Sequence, residues 1–230
     1  MSPKAPYPPG DAWALLSSMM TETRRNRMLS ASHERTRFLR LVIQDIHNPH
    51  NVAACMRSAE AFGVQDVDVV TVKASKYRSS NAARGVANWL TVRKHASVES
   101  CAQNLKADGY VLAAGVPKPG ATPLHELPLD RPIAVIFGNE HAGIDLGWHE
   151  HIDLPFTIPM VGMVESLNIS VCAAITLHHL TLAAKARVDH AQYYLPEDLR
   201  RALLDDWACR HVANWESVLE RLRHAGENTI

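Results

Sequence analysis

The stretch "IPMVGMVESLNISVCAAITL", residues 158–177, runs from the apolar end of a strand through a glycine turn into a long apolar helix. Glu165, Ser166, Asn168 and Ser170 crowd the junction of these two buried elements. Ser166 is expected to be the N-cap of a helix over 166–186, since a side-chain oxygen there takes up a backbone N–H that no helical carbonyl reaches. Asn168 then falls in the first turn, where its amide competes with the backbone for hydrogen bonds. Capping accounts for one polar residue, not four.

Working outward, strands and helices alternate from about residue 38. "FLRLVIQDI", "VDVVTV", "WLTVRKH", "YVLAAGV" (110–116), "IAVIFG" (133–138) and "IDLPFTIP" (152–159) read as strands. Residues 51–62, 79–87 and 97–108 read as helices between them. Several strands are continuous apolar runs, the pattern of a parallel sheet covered by helices on both faces. The fold class is therefore α/β. Before it, residues 11–31 read as one amphipathic helix through Ala12, Leu15, Leu16, Met19 and Met20. After "VDHAQYY" the strand signal stops and two charged helices follow, a tail expected to pack on the domain or on a partner subunit. The expected organisation is a basic helical extension over 1–37, an α/β domain over 38–187 and a helical tail over 188–230.

The totals exclude several classes. With 230 residues, 47% hydrophobic, 21% charged, and 24 Lys+Arg balanced by 24 Asp+Glu, the chain is an ordinary globular protein rather than a disordered or fibrous one. Zero net charge argues against nonspecific coating of nucleic acid but leaves room for local patches. One such patch is legible: Arg24, Arg25, Arg27, Arg35, Arg37 and Arg40 stand against only Glu22 and Glu34 over residues 21–40. Four widely spaced cysteines in apolar contexts suit buried thiols of a reducing, cytoplasmic setting. No apolar run is expected to be long enough to span a bilayer, and the start has no signal-peptide core.

The usual nucleotide and hydrolase signatures are missing: no G-x-G-x-x-G after a strand, no G-x-x-x-x-G-K-[ST], no G-x-S-x-G. Thirteen histidines include His149 and His151 as an H-x-H and the neighbours His178 and His179. Helical neighbours point in different directions and no other ligands complete a set, so no metal is expected and scattered surface histidines are the better account.

Three polar clusters remain, each at the end of an apolar element. In "HNPHNVAACMRSAEAFG" (47–63), Asn51 is placed to cap a helix whose buried stripe is Val52, Cys55, Met56, Ala59 and Phe62, leaving Arg57 off that stripe. In "IFGNEHAG" (136–143), a strand runs into a glycine turn at the end of a sheet, where open α/β sheets bind ligands. The junction at 158–177 is the third.

Together these clusters resemble the three motifs of the SpoU/TrmH branch of the SPOUT superfamily of RNA 2′-O-methyltransferases. Motif 1 is matched by Asn51, Arg57, Ala61, Phe62 and Gly63; motif 2 by Phe137, Gly138, Asn139, Glu140 and Gly143. Motif 3 is matched by Pro159, Met160, Gly162, Glu165, Ser166, Leu167, Asn168, Ser170 and Val171. The resemblance covers about residues 38–187. It lacks the ribosomal-protein-like extension common among the ribosomal RNA enzymes, and its layout is most similar to the tRNA guanosine-18 2′-O-methyltransferases.

The resemblance implies a carboxyl-terminal deep trefoil knot, a homodimer, and S-adenosylmethionine as cofactor, contacted by Ala114, Gly138, Ile158, Met160 and Leu167. It implies catalytic roles for Arg57, Asn51, Ser166, Asn168 and Glu140. RNA is the expected partner, met by Arg24, Arg25, Arg27, Arg35, Arg37 and the basic segment holding Lys73, Lys76, Arg78 and Arg84. The alternatives left open are a ribosomal RNA 2′-O-methyltransferase of the same branch and a noncatalytic RNA-binding protein with this fold.

Overall fold

A computed structural model describes residues 10–72, 85–116 and 120–227. The chain divides into two compact units: residues 36–193, and the two flanking stretches, up to residue 35 and from residue 194.

In the larger unit seven parallel strands form one sheet: β1 (Thr36–Gln44), β2 (Val64–Val70), β3 (Thr91–His95), β4 (Val111–Gly115), β5 (Thr122–Pro123), β6 (Ile133–Phe137) and β7 (Leu154–Thr157). Their order is β3-β2-β1-β6-β4-β7-β5. The parallel α/β sheet expected from the apolar runs is thus present, and β1, β2 and β6 are buried along almost their whole length. The chain leaves β3 for β4 and returns to insert β6 between β1 and β4. Register brings Ile43 opposite Phe137 and Gly115 opposite Phe156. The segments following β1, β4, β6 and β7 therefore leave from one rim of the sheet.

Helix boundaries differ from the sequence reading for local reasons. The first helix of the larger unit is Pro49–Ala61, and its N-cap is Asn48, whose side chain accepts from the His50 N–H. Pro49 supplies the fixed φ of a first helical residue, so Asn51 is not the cap. The Ile169–Arg187 helix begins three residues later than expected, capped by Asn168 and not by Ser166. The expected helix over 79–87 lies outside the described residues except for 85–87, which are helical.

Ile169–Arg187 also corrects the expectation about apolar length: its 19 residues pass the length and composition test for a membrane span. One face, with Ala173, Leu177, Leu180 and Ala184, is buried, and the helix packs on Pro49–Ala61.

Charged residues inside the sheet are paired. Arg40 on β1 reaches Asp68 on β2 through Nη2 to Oδ1 at 3.2 Å, and Asp108 through Nη1 at 3.0 Å. His95 Nε2 lies 2.7 Å from the same Asp68 carboxylate, so this histidine belongs to a sheet network rather than to the surface. All four cysteines are free thiols, three of them buried.

The smaller unit joins both flanks. The expected single helix over 11–31 is broken: Asp11–Leu16 is followed by a 3-10 turn, and Thr21 caps a second helix, Glu22–His33, by accepting from the Arg24 N–H. The tail helices are Glu197–His211 and Trp215–Glu227. Asp205 of the first tail helix accepts the backbone N–H groups of Gly10 and of Trp13, the latter at 2.7 Å, serving as a remote cap for Asp11–Leu16. The tail thus packs on the first helices of its own chain.

Candidate active site

A cavity of about 500 Å³ opens at the rim where β4, β6 and β7 end. Its apolar wall includes Phe137, Phe156, Ile158, Leu167 and Ile169, and its polar side Asn139, Glu140, Glu165, Ser166 and Asn168. A largely apolar cleft with a few convergent polar groups, in the roughly 300–1,000 Å³ range, is what a small organic cofactor requires.

Two glycines hold the shape. A Cβ at Gly138 would lie 2.2 Å from the Gly143 carbonyl oxygen and 2.5 Å from the Ile144 nitrogen, both backbone atoms. Only glycine lets the strand end approach the returning turn this closely. Gly143 itself has φ 69°, the left-handed region. The turn between them is closed by Asn139 N–H to Gly143 O at 2.8 Å and Gly143 N–H to Asn139 O at 3.0 Å. Asn139 Oδ1 also accepts the N–H groups of His141 and Ala142. The asparagine in this motif is an organiser of backbone, with its side chain fully engaged.

A line of polar side chains leads from this turn across to the helix junction. Glu140 Oε1 accepts Asn51 Nδ2 at 2.9 Å, and Asn168 Nδ2 faces Asn51 Oδ1 at 3.4 Å. Asn168 Oδ1 accepts the Ser170 N–H at 2.8 Å and the Ser170 hydroxyl at 2.6 Å. Residues from all three sequence motifs therefore meet in one hydrogen-bonded row. Partial burial pushes the Glu140 carboxyl up, but the bond from Asn51 and the backbone N–H groups of Glu140, His47 and Asn48 outweigh it and hold it below its ordinary value. Glu140 is thus an ionised acceptor at neutral pH, suited to orienting Asn51 and poorly suited to donating a proton.

Of the expected cofactor contacts, Gly138, Ile158, Met160 and Leu167 line the cavity. Ala114 does not: it is wholly buried in the core, and Gly115 and Val116 face the space instead. Ser166 lines it as an exposed residue; Asn51 stands behind Glu140. Arg57 is exposed and is not among the lining residues. It lies six residues beyond Asn51, about 9 Å along the helix axis.

The expected RNA contacts separate. Arg24 and Arg27 are exposed on Glu22–His33 and Arg25 is half-exposed. Arg35 is a correction: it is buried, with its guanidinium 5.0 Å over the Trp207 ring. A buried cation stacked on indole is not open to phosphate. Arg37 is partly exposed and forms an ion pair with Asp66, its Nε 2.8 Å from the carboxylate. Lys73, Lys76, Arg78 and Arg84 lie outside the described residues.

Residues missed by sequence reasoning include Val116, Phe156, Ile144 and Cys172. The rule that ligands sit beyond the carboxyl ends of strands would have found the first two, had the order of β4, β6 and β7 been known.

Comparison with known proteins places this geometry in context. The model of the SpoU rRNA Methylase family matches residues 38–178. The chain is 31% identical over 179 residues to the tRNA (guanosine(18)-2′-O)-methyltransferase of Escherichia coli K12, covering 78% of this chain and 76% of that protein. It is 29% identical over 204 residues to the enzyme of the same name from Borreliella burgdorferi, covering 89% and 93%. In fold it is similar to the A. aeolicus TrmH/SpoU tRNA modifying enzyme, with TM-score 0.75 and 24% identity over 84% of this chain and 98% of that one. It is also similar to the methyltransferase AviRb from Streptomyces viridochromogenes in complex with the cofactor AdoMet, with TM-score 0.58 and 24% identity over 66% and 60%. With its three motifs drawn into one site and the family model matching most of the larger unit, the chain belongs to the SpoU rRNA Methylase family.

Proposed function

We propose that the protein transfers the methyl group of S-adenosylmethionine to a ribose 2′-hydroxyl of RNA, with the D-loop guanosine 18 of tRNA as its target. The observation that carries this reading is the row Glu140–Asn51–Asn168–Ser170 bordering a cavity at the ends of β4, β6 and β7. The identity of the tRNA relatives over most of the chain supports the choice of target.

The cavity fits the cofactor by volume, by its apolar wall for the adenine, and by Gly138, where the absence of a side chain keeps the strand end and the returning turn close at its edge. Gly138, Ile158, Met160 and Leu167 would hold it. When bound, it supplies an electrophilic methyl carbon on a sulfonium. The protein must then align the ribose oxygen and relieve it of its proton. Asn51, oriented by Glu140, and Asn168, held at the helix start by Ser170, position the ribose, with Ser166 beside them. Arg57 has a guanidinium that stays protonated at neutral pH. Its place about 9 Å along the helix from Asn51 suits the adjoining phosphate better than the hydroxyl, so it binds that phosphate beside the ribose, and the 2′-hydroxyl proton passes to the phosphate or to water as the oxygen–methyl bond forms and the methyl–sulfur bond breaks.

The same reading includes a homodimer. Val171, Ile175 and Leu182 form an exposed apolar stripe on Ile169–Arg187, and Val161, Met163 and Val164 before it are also exposed. Such a patch is what a second copy would cover. A deep trefoil knot in the carboxyl-terminal part of the domain and a cytoplasmic setting, which suits the free thiols, complete the proposal. Arg24, Arg25 and Arg27 add phosphate contacts.

The test is incubation with methyl-labelled S-adenosylmethionine and separate unmodified tRNA and ribosomal RNA pools, followed by mapping of 2′-O-methyl sites. Label at guanosine 18 of tRNA is expected. Label confined to ribosomal RNA would refute the target, and label in neither pool would refute catalysis.

A further inference from the structure

Gln44 and Asp45, the last residue of β1 and the one after it, belong to none of the three motifs, yet they meet the cavity turn from behind. Both are buried, and Asp45 has φ 48°, in the left-handed region that a non-glycine residue adopts at a cost. Besides the bond from the Asp45 N–H to the Val70 carbonyl at 3.0 Å, Val72, Asn139, Asp145 and Trp148 bond to this pair. Asp45 Oδ1 accepts the Val72 N–H at 2.9 Å where the chain leaves β2, and the Asp45 carbonyl accepts Asn139 Nδ2 at 2.8 Å. Gln44 Oε1 accepts the Asp145 N–H at 3.0 Å and the Trp148 indole N–H at 3.1 Å. The two side chains are joined by Gln44 Nε2 to Asp45 Oδ2 at 3.2 Å.

The amide orientation is fixed by chemistry. Backbone N–H and indole N–H are obligate donors, so the Gln44 atom facing Asp145 and Trp148 must be the oxygen, and its nitrogen must then face Asp45. Asp45 must in turn present an oxygen to that nitrogen. A single polarity therefore runs from Val72 through Asp45 and Gln44 to the far end of the 139–148 turn, while the strained Asp45 backbone aims its carbonyl at Asn139.

We infer that Gln44 and Asp45 are a positioning pair: they fix the 139–145 turn from both ends and so set the shape of the cofactor cavity. The inference rests on the methyltransferase reading only for the identity of the ligand.

Donor and acceptor can be exchanged to test it. Asp45→Asn keeps a residue type that tolerates left-handed φ but sets an NH2 group against Gln44 Nε2. If Gln44 flips to avoid this, it turns its own NH2 on Asp145 and Trp148. Gln44→Glu combined with Asp45→Asn restores the bonds described above: the introduced amide donates to the introduced carboxylate, whose other oxygen accepts from Asp145 and Trp148. We expect D45N to weaken S-adenosylmethionine binding about tenfold in calorimetry and to speed amide exchange at Asp145 and across 139–143. The double variant should recover the natural exchange pattern and come within about threefold of the natural affinity. A folded D45N with natural affinity and natural exchange would overturn the inference, as would a double variant no better than D45N. If D45N does not fold, a double variant that folds and binds supports the pair, and one that does not overturns it. Natural protein that binds no S-adenosylmethionine would refute the proposed function instead, and exchange at Asp145 would still decide the role of the pair.

Discussion

Gly138→Ala tests the cavity most directly. The added methyl carbon would sit 2.2, 2.4 and 2.5 Å from the Gly143 O, Gly143 C and Ile144 N atoms. Backbone atoms cannot swing aside as a side chain would, so either β6 shifts or the turn opens. Overpacking of this kind costs about 1–3 kcal/mol. Opening the turn gives up the two Asn139–Gly143 backbone bonds, each worth about 1 kcal/mol. Both routes converge on about 2 kcal/mol. If the turn stays closed the loss appears as stability, a fall in Tm of about 4–8 °C for a chain of this size. If it opens, the loss appears in cofactor affinity, a Kd about 30-fold weaker. Calorimetric titration with S-adenosylmethionine, with a thermal melt of the same preparation, reads both. A variant whose Kd stays within twofold and whose Tm stays within about 1 °C would show that the turn has slack, and would refute the account of Gly138 as the point of close approach.

Asn168 has two roles that substitutions can separate. Asn168→Ala should cost about 1 kcal/mol for the lost cap and also lower turnover. Asn168→Asp keeps the capping oxygen but turns a carboxylate on Asn51 Oδ1, so Tm should hold while kcat falls; natural turnover in the aspartate variant would count against a positioning role. Arg57→Ala and Arg57→Lys should each lower kcat/KM for RNA roughly a hundredfold or more, with S-adenosylmethionine affinity unchanged; near-normal turnover in the alanine variant would remove Arg57 from the mechanism. Asp68 predicts the acid limb of stability. Burial pushes its carboxyl up, but His95 and Arg40 outweigh burial and hold it below its ordinary value. Its contribution is therefore complete above the unfolded value of about 3.9 and is lost as pH falls through the lower folded one. Asp68→Asn should flatten that part of a melt series from about pH 6 to about pH 2.5 and cost about 2 kcal/mol at neutral pH, the value of a charge-assisted hydrogen bond, by leaving Arg40 with Asp108 as its one carboxylate partner.

The strands were legible because a parallel sheet covered on both faces writes continuous apolar runs into the sequence, as in "IAVIFG". The polar clusters were legible as clusters. What each member does was not, because capping depends on which residue happens to lead the helix. Pro49 moved the first cap back to Asn48, which released Asn51 for Glu140. The second cap fell to Asn168, which left Ser166 at the cavity. Arg35 looked like its neighbours in a basic run, and only the arrival of Trp207 from the tail buries it. Gln44 and Asp45 sit at the end of a strand that carries no motif, and their importance comes from residues 101 and 104 positions away from Gln44. Such partners are set by strand order, which no local pattern encodes.

The remote cap from Asp205 bears on how the chain is made. Asp11–Leu16 leaves the ribosome long before the carboxylate that takes up its N–H groups, which lies 195 residues downstream of Gly10. At roughly 5–20 residues per second, this helix waits about 10–40 s for that partner. A six-residue helix is too short to persist alone in water. The unit formed by the two flanks is therefore completed only after the sheet between them has been made, and the apolar side of the early helix stays uncovered until then.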